Sequence, residues 1–364
     1  DRGGAGAAPT PPSPYADLPA RAYWRTAVSE RSPLDPGDLY SPRFPVTRET
    51  RIATAGSCFA QHVGRALRGT GFNVLDAERP PARIPEHAAA AYGYGLFSGR
   101  YGNLYTARQL AQLFEEAEGR LEPALPVWRK GDRFFDAQRP GIEPGGLESA
   151  ARVLRHRERH LASLGGMFRA ADVFVFTFGL TEAWTHRATG TVYPTAPGVI
   201  AGEFDPAVFA FRNYDAAEVL ADFEAFRAAL RAVNPHVRFL VTVSPVPLTA
   251  TATDAHVEVA TCYSKAVLRA VCGMLVARHD DVDYFPSFEI ITSQRARGVY
   301  FEPNQRNVSP IGVQAAMQLF LRAHGVAPAD HGPATAPERM PSDPPADEAA
   351  GDPCEDALLE AFAR

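Results

Sequence analysis

The chain has 364 residues, of which 46% are hydrophobic and 22% charged, so it can bury a sizeable core in one large or two small domains. Its formal net charge of −5 gives no general attraction to nucleic acid or to an anionic membrane, which leaves small neutral or polar substrates as the expected partners. The four cysteines form neither a C-x-x-C pair nor a dense framework, so a reducing cytoplasm is the expected location and no structural zinc site is indicated. An apolar run of about 18 residues is absent, so neither a transmembrane helix nor a signal peptide is predicted.

Composition separates the N-terminal end from the main domain. Residues 1–20 are rich in Ala, Gly and Pro and are predicted to be disordered. The domain is predicted to span residues 21–326. Its first part, 21–50, carries Tyr23, Trp24 and Phe44 among several prolines, which predicts an irregular arm packed on the main body.

The other end, residues 327–364, combines a linker with a short helix. Proline, alanine and acidic residues dominate up to residue 353, which predicts a solvated linker. Leu358, Leu359 and Phe362 then recur at helical spacing. The sequence therefore predicts a short helix that docks on the domain or binds a protein partner.

Between these ends, apolar runs alternate with helical patterns. The clearest helix is 216–233, in which large apolar side chains recur every three or four residues until Asn234-Pro235 ends it. Such alternation predicts an α/β domain with a parallel sheet, helices on both faces and functional groups beyond the strand C-termini. The predicted strands are 52–55, 72–75, 172–178, 238–243 and 282–285. The predicted helices are 58–67, 107–117, 150–164, 216–233, 257–277 and 310–323.

The most informative segment is Gly56-Ser57-Cys58, between the first predicted strand and the first predicted helix. A strand that enters a glycine turn and then a helix places a small nucleophile at a positively polarised helix N-terminus, as in acyl-transfer enzymes. Small residues also close ordinary strand-to-helix turns, so the tripeptide alone does not decide between the two interpretations.

Several motifs together resemble those of the GSCFA family, a relative of the SGNH (GDSL-like) hydrolases. They keep their order over about residues 20–325, and they are TAGSCFAQHVGRAL, YGNLYT, FGLTEAW, TVSPVP, YSK and YFPSFE. The resemblance implies a three-layer α/β/α, flavodoxin-like sandwich with a mainly parallel central sheet. It also implies that residues 58 and 57 lie where such hydrolases keep their nucleophile.

The resemblance places Cys58, rather than Ser57, at the nucleophile position. A helix N-terminus lowers the pKa of a thiol, so thioester chemistry is expected, with Ser57 as the second candidate. The alternative is that Cys58 is a small buried hydrophobic residue.

An oxyanion intermediate requires preorganised donors. By resemblance, Gly102 supplies one of them, and the Asn103 amide is close enough in sequence to add another. Thr181 stands where the family's relatives carry a second asparagine, so Asn103 is expected to replace that residue. The alternative for Gly102-Asn103 is an ordinary turn.

The general base is not evident from the resemblance. SGNH hydrolases take an Asp-x-x-His pair from the loop before the last helix, and Asn304 and Asn307 occupy those positions here. An asparagine accepts no proton, so no standard triad forms from this loop. The favoured base is His256, with Glu182 as its orienting carboxylate.

Other residues remain open as alternatives for the same chemistry. His62, four residues after Cys58 on one helix face, is a second candidate base, and His186 a third. Asp254 is an alternative partner for His256. Lys265 and Arg306 are candidates to neutralise an anionic group of the substrate, and Trp184 to stack on a sugar ring or acyl chain.

Two functions follow from these features. The first is an acyl-transfer enzyme, an esterase or acyltransferase, acting on an acylated small molecule or glycan without a cofactor. The second is a non-catalytic protein that binds a glycan or acyl compound, which Asn304 and Asn307 favour. A metal enzyme is a distant third, because the histidines and acidic residues show no recognised ligand spacing.

Overall fold

The computed structural model describes residues 13–32, 34–326 and 355–363, with only the backbone of 86 and 355–357. The predicted disorder of residues 1–12 and the predicted linker therefore lie outside the described residues. The strands, in chain order, are β1 (Ile52–Gly56), β2 (Val127–Lys130), β3 (Arg133–Asp136), β4 (Val173–Phe178), β5 (Glu182–His186), β6 (Val192–Tyr193), β7 (Phe209–Asn213), β8 (Arg238–Val243) and β9 (Val282–Tyr284).

Eight α-helices surround these strands in the described part of the chain. They are α1 (Cys58–Gly69), α2 (Glu86–Ala89), α3 (Ala107–Ala117), α4 (Ala150–Ala170), α5 (Ala216–Val233), α6 (Val257–Arg278), α7 (Ser287–Thr292) and α8 (Pro310–Ala323). A 3₁₀ helix, Glu355–Phe362, follows and is called the C-terminal helix below.

The central sheet is parallel, with strand order β1-β4-β8-β9. In its register Gly56 lies opposite Thr177, and Thr177 lies opposite Thr242, so three strands end at one edge. The predicted strand at 72–75 is reduced to one bridge, in which Val74 pairs with Ile52 on the outer side of β1.

Helices cover both faces of this sheet. Successive β4 residues alternate between the faces: Phe174 and Phe176 pack with α3, α4, α5 and α6, whereas Val173 and Val175 pack with α1, α7 and α8. Strands buried on both faces are nearly continuous apolar runs, which is why the sequence revealed them. The predicted three-layer α/β/α fold is confirmed.

Helix bounds agree with prediction where capping residues mark them. α3, α5 and α8 begin and end as predicted, after the side-chain caps Thr106, Asp215 and Ser309. α4 continues six residues beyond its predicted end at 164, to Ala170, because Met167 and Phe168 prolong its apolar face into the core.

Two antiparallel sheets were not predicted. β2 and β3 form a hairpin, and β6-β5-β7 form a three-stranded sheet that follows β4 directly. In β5 the buried residues are the small Ala183 and Thr185, whereas Glu182, Trp184 and His186 are half-buried. The usual alternation of apolar and polar residues is thereby obscured.

The arm at 21–50 contacts the domain through its second half. Phe44 is buried against the layer of α1, α7 and α8, and Tyr40 donates a hydrogen bond to Asp283 Oδ2 at 2.9 Å. Tyr23 and Trp24 are exposed, contrary to the expected packing, because they lie on short helical turns remote from this core.

Helix α6 meets the length and composition criteria for a membrane span, contrary to the expectation that no segment would. Its residues Leu268, Val271 and Leu275 are completely buried against the central sheet. This is the packing of a core helix, so the criterion is weak evidence for a span.

Candidate active site

The turn between β1 and α1 requires glycine. Gly56 has φ 139°, and a Cβ at this position would lie 2.5 Å from the backbone oxygen of Thr177 in β4. Ser57 follows in extended conformation, donates its backbone N–H to the same oxygen at 3.2 Å, and is the N-cap of α1. Cys58 is therefore the first residue of α1, where the helix dipole favours negative charge.

The two nucleophile candidates differ in access. Ser57 is 2% exposed, whereas Cys58 is half-buried. A Cβ on Gly179 would come within 2.9 Å of Ser57 Cβ, so the end of β4 closes over this serine. In the described part of the chain Ser57 Oγ has no hydrogen-bond partner. A substrate therefore reaches the thiol more readily than the hydroxyl.

The Gly102-Asn103 segment lies beside this turn. Gly102 has φ 69°, and the N–H of the following Leu104 donates to Gly56 O at 2.8 Å. Asn103 is 2% exposed, and its Oδ1 accepts a hydrogen bond from Gln61 Nε2 at 3.1 Å. This bond orients the Asn103 amide against the first turn of α1.

Gln61 was missed by the sequence reasoning. It lies three residues after Cys58, a spacing that brings two helical residues onto one face, and this spacing is the signal that identifies it. It connects the helix carrying the thiol to the segment carrying the predicted oxyanion donors.

Thr181 serves the scaffold in this structure. It is completely buried, its hydroxyl donates to Asn213 Oδ1 at 2.6 Å, and its N–H donates to Ser264 Oγ at 3.0 Å. These bonds join the start of β5 to β7 and α6.

Lys265 is buried as well, at 4% exposure, and its Nζ donates to Gly179 O at 2.6 Å. The sequence reasoning placed this lysine on an anionic substrate group. It instead supports the loop after β4 that packs on Ser57, because its ammonium group points to that backbone.

His256 has a different role from the predicted base. It is exposed, and it caps α6 by accepting a hydrogen bond from the backbone N–H of Glu258 at Nδ1, 3.2 Å away. A neutral imidazole that accepts at Nδ1 carries its proton on Nε2, so no second acceptor remains. The helix cap explains this histidine without catalysis.

Glu182, the predicted partner of His256, is bound elsewhere. Its carboxylate accepts hydrogen bonds from Thr251 Oγ1 at 2.6 Å and from the backbone N–H of Ala252 at 3.2 Å. Within the described residues no bond joins His256 to Glu182 or to the exposed Asp254. Glu182 thus fixes the loop after β8 against β5.

The remaining histidines lie at different distances from the turn. His62 is half-buried one helical turn after Cys58, with its ring 5.9 Å from that of Phe59 and its Nδ1 3.3 Å from the Arg65 guanidinium. His186 lies at the far end of β5, where Nδ1 is 3.0 Å from Thr189 Oγ1. Of the three histidines, only His62 shares an element with the thiol.

Asn304 and Asn307 form a tight surface loop. Asn304 Oδ1 accepts hydrogen bonds from the backbone N–H groups of Arg306 and Asn307 at 3.0 and 2.9 Å. Both asparagines are exposed. The loop that supplies the base in SGNH hydrolases therefore offers two amides, neither of which accepts a proton.

Two clefts flank the 102–105 segment. The first, called the tryptophan cleft, has a volume of 180 Å³ and is lined by Tyr105, Glu182, Trp184, Tyr193, Thr195 and Thr251 among others. The second, called the asparagine cleft, has a volume of 290 Å³ and is lined by Gln61, Leu96, Phe97, Gly102, Asn103 and Ile142 among others. Adjacent residues of the C-terminal helix line both: Leu359 the first and Leu358 the second. The clefts therefore adjoin.

A comparison of the sequence with known protein families agrees with the fold described above. The chain matches the model of the GSCFA family over residues 51–320 and belongs to that family. The match includes the Gly56-Ser57-Cys58 turn, the Asn304 loop and the lining of both clefts apart from Leu358 and Leu359. A search of curated proteins gives no significant match.

Two solved structures show remote similarity to this chain. A protein of Streptococcus pneumonia, assigned as a platelet activating factor, is 14% identical, with a TM-score of 0.26. The alignment covers 47% of this chain and 65% of that one, so this chain spans less than two thirds of its length. A carbohydrate esterase family 3 structure from Talaromyces cellulolyticus is 16% identical, with a TM-score of 0.24, and 61% of this chain and 93% of that chain are covered. Similarity of this size supports no argument about activity.

Proposed function

We propose that the protein is an acyl-transfer enzyme, an esterase or acyltransferase, that forms an acyl-enzyme intermediate on Cys58. The observation that carries the proposal is the position of this thiol. It is half-buried on the first residue of a helix, three residues before Gln61 of the asparagine cleft, while the adjacent Ser57 is closed off by the loop after β4. A thiol at a helix N-terminus is more easily deprotonated than a free one, and the thiolate is the nucleophile.

The proposed reaction has two steps. Cys58 Sγ bonds to the carbonyl carbon of an ester or thioester, the bond to the leaving oxygen or sulfur breaks, and the thiol proton passes to that leaving group. Water, or the hydroxyl or amine of an acceptor, then attacks the thioester, and its proton returns to the cysteine sulfur. The Asn103 side-chain N–H is the proposed donor to the oxyanion, since the Ser57 N–H of the turn is bound to Thr177 O.

His62 is the proposed proton carrier, because it lies one helical turn from Cys58 and is half-buried. Its Nδ1 lies 3.3 Å from the Arg65 guanidinium, which only donates, so accepting the thiol proton at this nitrogen requires that contact to open. The Asn304 loop supplies no base to activate water. This favours transfer to an acceptor over general hydrolysis.

The test is covalent labelling. The protein is incubated with a thiol-reactive acyl probe, and the labelled residue is mapped by mass spectrometry in the natural chain and in the Cys58→Ala and Ser57→Ala variants. We expect label on Cys58, its complete loss in Cys58→Ala and its persistence in Ser57→Ala. Cys262, which is exposed, serves as an internal control, because modification at both sites at equal rates would indicate no activation of Cys58.

A non-catalytic binding protein is the second candidate function. It is favoured by the Asn304 loop, whose amides are engaged in a turn at the position of the usual Asp-x-x-His pair. A folded chain that acquires no label at residue 58 or 57, yet binds an acyl compound, would support this candidate and contradict the first.

A further inference from the structure

The asparagine cleft is polar at one end only. Gln61, Gly102 and Asn103 lie at that end, beside the turn that carries Cys58. Its other walls are apolar side chains and small residues, of which Phe97 is 2% and Ile142 4% exposed. Among its described lining residues none is charged.

The walls of this cleft are held in place by two arginines. Arg68 of α1 donates to Gly95 O at 2.7 Å and to Phe97 O at 2.9 Å. Arg100 donates to Tyr92 O at 2.9 Å and forms an ion pair with Glu143 at 3.0 Å. The loops on either side of the cleft are therefore fixed by charged groups that lie outside it, which gives a preformed cavity.

The tryptophan cleft has a different chemistry. Glu182, Thr195 and Thr251 line it together with the aromatic rings of Trp184 and Tyr193. Hydroxyl and carboxylate groups beside aromatic faces suit a polar ring or headgroup rather than an aliphatic chain. The two clefts thus differ in the part of a substrate that each would accommodate.

We propose that the asparagine cleft binds the linear aliphatic chain of the acyl group, with the acyl carbonyl at its polar end beside Cys58; this inference rests on the proposed function. An aliphatic side chain already lies there, because Leu358 of the C-terminal helix lines the cleft. Leu358 is 49% exposed, and the apolar side chains that line the rest of the cleft suit a chain that carries no polar group.

The probes are hexanoate, octanoate and decanoate, titrated by calorimetry into the full-length Cys58→Ala variant, in which no acyl-enzyme forms. Each methylene buried in the cleft strengthens binding about fourfold, which corresponds to ~0.8 kcal/mol. We therefore expect affinity to rise by more than tenfold for each added pair of methylenes. Affinity that does not depend on chain length would overturn the proposal.

A matched pair of substitutions identifies the cleft involved. Ala91 lines the asparagine cleft and Ala252 the tryptophan cleft, and both are exposed, so a larger side chain at either position leaves the core unchanged. Ala91→Trp is expected to weaken decanoate binding at least tenfold, and Ala252→Trp to leave it within twofold. The reverse result would place the chain in the tryptophan cleft and reject this proposal.

The outcomes separate this proposal from the proposed function. Binding that depends on chain length and is blocked by Ala91→Trp supports the acyl pocket even if the thiol of the natural chain takes no label. Labelling of Cys58 without such binding keeps the enzyme and rejects the pocket. Thermal unfolding of each variant confirms that a loss of binding is not a loss of folding.

Discussion

Single residues determine how close the strands come at the nucleophile turn. Gly56 has no room for a side chain, because the backbone of Thr177 occupies the space where its Cβ would lie. Gly179 is restricted in the same way by Ser57 and by the backbone of Tyr105, 3.1 Å away. Both glycines are therefore required for the end of β4 to lie against the start of α1, where Ser57 is buried and Cys58 half-buried.

Gly56→Ala tests this close approach. The new methyl group would meet backbone 2.5 Å away, in a conformation with φ 139°, so we expect a loss of about 3 kcal/mol or more in the free energy of unfolding. Urea denaturation measures this loss in the free energy of unfolding. The control is Gly166→Ala on the exposed face of α4, where no heavy atom lies within 4 Å; there a gain of ~0.5–1 kcal/mol is expected. Equal effects in the two variants would contradict this account.

At the scale of elements, a buried charged network positions the segment that carries Asn103. Asp136 of β3 is bound by Arg139 at 2.7 Å and by Arg157 of α4 at 2.9 Å. Arg139 also donates to Arg100 O at 3.0 Å, three residues before Asn103. Although burial opposes the charge, the two arginines lower the pKa of Asp136 to about 2, so it remains ionised.

Asp136→Asn removes the negative charge between two buried guanidinium groups. Since loss of one partner from a buried ion pair leaves the other uncompensated, the free energy of unfolding should fall by about 3–5 kcal/mol. Asp172→Asn is the matched control, because the Asp172–Arg51 pair is on the surface, with side-chain exposures of 40% and 51%. Its expected effect is at most ~1 kcal/mol. Chemical denaturation of both variants measures their free energies of unfolding. A small loss of this free energy for Asp136→Asn would mean that the network is not important for stability.

The sequence predicted those elements whose signals are local. β4 and β8 are continuous apolar runs, and α5 begins at an Asp215–Glu218 capping box. The β6-β5-β7 sheet was missed because the largest apolar residue of β5, Trp184, is on its half-buried face. The sequence named Trp184 of this sheet as a stacking residue, but the cleft that Trp184 lines depends on a sheet that was not predicted.

For the site, the sequence predicted the thiol's place at the start of α1 and the nearness of Asn103. The sequence did not predict the role of His256, because a histidine in a loop and a histidine that caps a helix have the same sequence pattern. The Gln61–Asn103 contact joins residues 42 positions apart and depends on how the 97–105 segment returns to β1. Such contacts between distant segments have no local signal.

At the scale of the whole molecule, buried histidines make stability depend on pH. Burial, with the charge of Arg139, lowers the pKa of His160 to about 4, despite its hydrogen bond to Glu78. Burial also lowers the pKa of His324, in the opposite helical layer, to about 4. In the unfolded chain a histidine has a pKa of about 6.5.

Between pH about 6.5 and about 4 the unfolded chain therefore binds protons that the folded chain does not, so the free energy of unfolding falls as pH is lowered. His160 contributes up to ~1.4 kcal/mol per pH unit, and the partly exposed His324 contributes less. Urea denaturation at pH 7, 6 and 5 measures the slope. His160→Gln should flatten it, whereas His236→Gln, at an exposed histidine, should not; a flat profile for the natural chain would contradict the expectation.

The bond from Ser57 to Thr177 also constrains synthesis of the chain. One neighbour of β1, the segment around Val74, is translated soon after it, but its inner neighbour β4 is translated about 120 residues later. Pairing between distant segments is slow and leaves unpaired edges exposed meanwhile. While Thr177 is still inside the ribosome, the nascent chain already contains Cys58 but cannot form the turn that depends on Thr177. The turn that carries Cys58 is thus completed only once the translated chain includes β4, well after α1 has been synthesised.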